Sequence, residues 1–118
     1  MKIFVAILLG SLMFPFQANA ESEDLDVEGT WCGQWDNIYK VCFSIEQKDQ
    51  GFRALYEWEE QIGRSMQKKQ LKGIRMNDNT INFENKIIVF DLTNPNKATG
   101  FGIFEQYSRT AKLVRKNN

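Results

Sequence analysis

Histidine is absent from the 118 residues, and that one gap removes several chemistries. No Ser-His-Asp or Cys-His nucleophile can be assembled, nor an H-E-x-x-H metal motif. Cysteine occurs only twice, at Cys32 and Cys42. Two thiols without histidine are too few for a zinc site, and their spacing is not the C-x-x-C of thiol–disulfide exchange. There is no G-x-S-x-G elbow and no glycine-rich phosphate cradle. Asp78 lies in an Asn77-Asp78-Asn79 turn, but the glycine and distal glutamate of a calcium loop are missing. The formal net charge is zero, so no broad basic field for nucleic acid exists. Glu57, Glu59 and Glu60 could pair for glycoside chemistry, but "YEWEEQ" reads better as the outward face and end of a strand. No catalytic residue, metal ligand or cofactor is expected, and the chain is not expected to be an enzyme.

What is present begins with a targeting pattern. Lys2 supplies a short positive region, Ile3 to Phe14 is apolar apart from Gly10 and Ser11, and Pro15 ends the run. Ala18-Asn19-Ala20 is a small-x-small cleavage site, the mark of a secretory signal peptide over residues 1–20. The apolar run falls short of the roughly 20 residues a bilayer span takes, so no stable membrane anchor is expected. Cleavage after Ala20 would leave an acidic, flexible leader, "ESEDLDVE" (residues 21–28), ahead of a single domain at 29–116. The location expected is the periplasm or the exterior.

An exported chain with an even cysteine count favours a disulfide. A hairpin turning at Asp36-Asn37-Ile38 would pair Trp35 with Tyr39, Gly33 with Val41, Cys32 with Cys42 and Trp31 with Phe43. Directly opposite cysteines can bridge. Period-2 alternation places Trp31, Trp35, Val41, Phe43 and Ile45 on one face and both cysteines on the other.

The alternation continues. Phe52, Ala54, Tyr56 and Trp58 share a face after a Lys48–Gly51 turn. "SMQKKQLKGIRM" (residues 65–76) is open between a short helix and a polar, edge-like strand, with the strand preferred. Residues 80–84, 86–92, 98–107 and 110–115 read as further strands, rich in β-branched and aromatic side chains. About eight short strands joined by turns imply an all-β, antiparallel, up-and-down barrel, whose closure removes exposed edges.

Gly29-Thr30-Trp31 resembles the G-x-W motif of lipocalins and related calycins. The wider order, with Gly29, Trp31, Gly33 and Trp35, then Tyr56 and Trp58, then Leu113 and Arg115, is similar to small bacterial secreted lipocalin-like proteins. The resemblance implies that Trp31 closes one end of the barrel and that Arg115, or alternatively Arg109, packs across its ring. The chain is shorter than most lipocalins and has no room for their C-terminal helix.

The aromatic side chains either fill such a barrel or, in part, wall a small apolar pocket that includes Trp35, Tyr56 and Trp58. The function expected is that of an exported, monomeric lipocalin-like protein binding an apolar or amphipathic small molecule. The sequence offers few inward charges for a charged ligand. The alternative, an analogy of fold only, is a periplasmic or secreted protein-binding module such as an inhibitor of a lysozyme-type hydrolase. An open cavity above roughly 300 Å³ would favour the first reading.

Overall fold

A computed structural model describes residues 26–85 and 87–116. The expected signal peptide, residues 21–25 of the leader and Lys86 lie outside the described residues. The chain forms β1 (Gly29–Trp35), β2 (Tyr39–Lys48), β3 (Gly51–Glu59), β4 (Met66–Asn77), β5 (Thr80–Phe83), β6 (Ile88–Asn94), β7 (Lys97–Phe104) and β8 (Tyr107–Arg115). Each strand pairs antiparallel with the next, and β8 returns to β1, closing an eight-stranded barrel in sequential order. The described residues contain no helix.

Alternation decides which side chains go inside. On β1 to β3 the inward set is Trp31, Trp35, Val41, Phe43, Ile45, Phe52, Ala54 and Tyr56, all buried. The register of the first hairpin matches the expected one, with Trp31 opposite Phe43 and Cys32 opposite Cys42. Cys32 and Cys42 form a disulfide across Cα atoms 4.1 Å apart, on the face away from the core. The remaining strands contribute Ile81, Phe83, Ile88, Phe90 and Leu113 to the same core.

Two expectations about strands need correction. Residues 66–77 form one long strand, but not an edge: β4 pairs with β3 on one side and β5 on the other. Lys68, Gln70 and Lys72 face solvent from the middle of the sheet. The expected strand at 98–107 ends at Phe104, and Tyr107 begins β8 opposite it. The hairpin between them is made by Glu105, with φ 54°, and Gln106. Neither residue type signals a turn, so the break was displaced toward Ser108 and Arg109 in the sequence. Other hairpins use residues that tolerate the left-handed region, such as Asp36 and Asn37. Asn77 and Asn94 each accept a hydrogen bond from the backbone N–H two residues on, fixing the tips of two more.

Because every connection is a hairpin, the ends of the barrel differ. The β1–β2, β3–β4, β5–β6 and β7–β8 hairpins gather at one end. The other end holds the remaining hairpins and residues 26–28. The seam where β8 meets β1 is tight. A Cβ at Gly33 would overlap the Lys112 carbonyl oxygen, so only glycine lets the two backbones approach there.

Removing the disulfide frees a short loop of the unfolded chain. Replacing Cys32 and Cys42 together by serine is expected to lower stability by about 2–3 kcal/mol in urea denaturation. In the unreduced protein, intact mass after alkylation should show no added label.

Candidate functional site

The two ends of the barrel do different things. At the closed end the buried Trp31 indole donates to the Val27 carbonyl at 2.9 Å and meets Phe90 edge-on. The Arg115 guanidinium lies 4.3 Å from the Trp31 ring centroid. Its nitrogens donate to the carbonyl oxygens of Pro95, Glu28 and Asp26. One side chain thus holds the 26–28 segment and the β6–β7 hairpin over the tryptophan. Gly29, with φ 129°, turns the chain beside this arginine in a conformation that suits glycine. The expected partner of Trp31 is therefore Arg115. Arg109 sits at the opposite end, over the rings of Tyr39 and Tyr107.

At the open end lies a cavity of about 630 Å³. Trp35, Tyr56 and Trp58, the three residues expected to wall a pocket, all line it. The Trp35 indole donates to the Tyr56 hydroxyl at 2.9 Å. Tyr56 and Trp58 stack with centroids 4.7 Å apart and planes 15° apart. They are two residues apart on β3 and so share its inner face. The opposite wall is apolar, from Ile87, Ile88, Ile103 and Phe104. Below, Phe43, Phe83 and Phe90 fill the barrel. The aromatics thus serve both expected roles, core in the lower half and wall in the upper.

Burial pushes the Tyr56 phenol up to about 12, against the opposing effects of the Trp35 hydrogen bond and the Arg109 charge. It stays neutral at physiological pH. An indole N–H can only donate, so the hydroxyl accepts from Trp35 and its own proton remains for a second hydrogen bond.

Charge was expected to be scarce on the inner wall, and here the structure corrects the expectation. Lys69 faces Tyr56 across the β3–β4 ladder, and Arg109 follows inward-facing Ala111 and Leu113 by period 2 along β8. Both line the cavity. Arg109 is bound to Asp36 at 2.9 Å. The carboxylates Glu60, Glu84 and Glu105 also border the cavity, from the hairpin ends.

Glu59 is a second correction. It was expected on the outward end of a strand, yet it is buried. Its carboxylate accepts from the Lys40 backbone N–H at 2.8 Å and from that of Gly63 at 3.1 Å. It continues the β2–β3 ladder one step past Val41 and Trp58 and pins the following turn. The Lys40 N–H, then the Gly63 N–H, hold its carboxyl below the usual range.

Two outcomes are expected. Trp31→Ala should cost about 3–5 kcal/mol in chemical denaturation, the loss of a buried large side chain. For Glu59, a lowered folded pKa means stability that is complete above the unfolded value near 4.5 and lost as the pH falls through the folded one. Glu59→Gln should therefore flatten the fall in the urea midpoint on acidification from about pH 7 to about pH 3.

The closed barrel is consistent with a lipocalin-like fold, and a disulfide in so small a barrel is compatible with an extracellular or periplasmic location. Among known proteins, no family model, no curated protein and no solved structure matches the chain.

Proposed function

We propose that this is an exported lipocalin-like protein that carries an apolar or amphipathic small molecule in the open-end cavity. The observation that carries the reading is a cavity of about 630 Å³ with Trp35, Tyr56 and Trp58 in its wall, within the size range of small-molecule pockets. The stacked Tyr56 and Trp58 rings give a flat apolar surface, and the Tyr56 hydroxyl adds one donor for orientation. Export is supported by the leader pattern of residues 1–20 together with the disulfide. The lipocalin-like assignment is supported by the G-x-W residues and the stacking of Arg115 on Trp31. The working form is a monomer in this reading, since closure leaves no free sheet edge. The role is binding, not catalysis.

A second reading, a protein-binding module such as a hydrolase inhibitor, is favoured by one feature. Ile38, Ile62, Ile87, Ile103 and Tyr107 stand exposed at the mouth, with a residue from each of the four hairpins there or a strand end beside it. Apolar side chains around a rim are a surface a partner can cover.

Titration with a hydrophobic fluorescent probe or a fatty acid separates the two. The expected result is micromolar binding with quenching of tryptophan fluorescence. Trp58→Ala should weaken binding about tenfold, the equivalent of roughly 1.4 kcal/mol of lost stacking and apolar contact, while Glu57→Ala should leave it unchanged. Fluorescence that stays flat across a panel of lipids and small molecules, in folded protein, would rule out the ligand reading and leave the partner reading.

A further inference from the structure

The strands do not all reach equally far toward the mouth. β4 pairs with β3 from Met66 to Gly73, whereas its ladder with β5 covers Gly73 to Asn77. One further step is made at Lys72. Its carbonyl accepts from the Glu84 N–H at 2.9 Å, and its own N–H donates to the Glu84 carboxylate at 2.9 Å. There the chain turns away from β4, through Glu84 and Asn85 with φ 50° and 57°. Closure thus leaves no strand uncovered along its whole length, but it leaves a step beside β4. The direction of the backbone groups alternates along a strand. The Lys72 N–H and C=O point toward β5, so those of Gln70 and Lys68 point the same way, past the end of β5. Among the described residues no strand and no side chain bonds to them on that side. Two N–H and two C=O groups stand in a row at an exposed margin, the template to which an extended chain adds.

We propose that this stretch of β4, residues 66–70, takes an extended acidic peptide as an added antiparallel strand. The inference goes beyond the small-molecule reading. The guest lies where a longer β5 would have run, and so pairs in the same sense. Charge sets its sequence. Lys68, Gln70 and Lys72 face outward and are exposed. A guest residue opposite Gln70 has Lys68 and Lys72 as diagonal neighbours, and one opposite Lys68 meets it directly, so both places suit a carboxylate. Lys72 has a like charge, Arg53, across the β3–β4 ladder. Two carboxylates oppose the preference, Glu57 across from Lys68 and Glu84 at the foot of the step, the latter already bound to the Lys72 N–H. The guest residues between the acids face inward, over the cavity that Trp58, Ile87 and Ile88 line, and are apolar. The same lysines disfavour a second copy of the chain. A twofold pairing of two β4 strands centred on Lys68, Lys69 or Gln70 sets lysine opposite lysine.

The test uses end-blocked peptides of the length of 66–70 and isotopically labelled protein. Glu-Val-Glu-Val-Glu should shift the amide resonances of Lys68 and Gln70 saturably and slow their exchange with solvent. It should bind about fivefold or more tighter than Lys-Val-Lys-Val-Lys. N-methylation of its glutamates, whose N–H groups face β4 in this pairing, should abolish the shifts. N-methylation of its valines, whose N–H groups face away, should leave them. Gln70→Pro removes a donor that the native ladder does not use, and should abolish binding while the urea midpoint stays as in the parent. Lys68→Glu combined with Lys72→Glu should invert the preference between the two peptides. Absence of a saturable shift at Lys68 and Gln70, or equal effects of the two methylation patterns, would overturn the proposal. Equal affinity for the glutamate and lysine peptides would overturn it as well. Dimerisation of the protein alone, lost in Gln70→Pro, would overturn it in favour of a second copy.

Discussion

The stack of Arg115 on Trp31 is the contact on which the rest of the barrel depends. The two residues are register partners across the seam where the last strand meets the first. Without that seam the chain is a meander with two free edges and an open core. The guanidinium covers the indole from above, and its hydrogen bonds draw in the 26–28 segment and the β6–β7 hairpin. A lysine could supply the charge but not the flat stacking and the fork of donors. Gly29 and Gly33 serve the same closure, one by its backbone angle and one by lacking a side chain at the tightest approach.

Half of this barrel is a packed solid and half is a vessel. The lower half is filled by Phe43, Phe83, Phe90 and their aliphatic neighbours. The upper half is kept open by its own rim. Glu59 fastens one hairpin through two backbone N–H groups. Asp36 fastens another, accepting from the Thr110 N–H while holding Arg109. These carboxylates bind backbone as much as charge and so fix where the two hairpins sit.

Much of the fold was legible in the residues because one face of each early strand is apolar and the other polar. In β1 to β3 that contrast fixed the register, the disulfide and the inward aromatics. It faded where chemistry and geometry part. Glu105 and Gln106 turn the chain without any turn-forming residue, so the β7–β8 boundary was misplaced. Glu59 lies on a strand whose alternation says outward, but its carboxylate is covered where it accepts from the Lys40 and Gly63 N–H groups. Lys69 sits in a run of polar residues, Gln67 to Gln70, with no internal contrast. Only pairing with Tyr56 shows which of them faces in.

An even number of strands joined only by hairpins puts residues 26–28 and the end of β8 together at the closed end. Both ends of the described barrel segment therefore lie at its base, away from the mouth. The four hairpins at the mouth are then unencumbered by covalent attachments, and none of them touches the lock between Trp31 and Arg115. Substitutions at the exposed tips of the mouth hairpins, away from Asp36 and Glu59, therefore leave the seam at the base untouched.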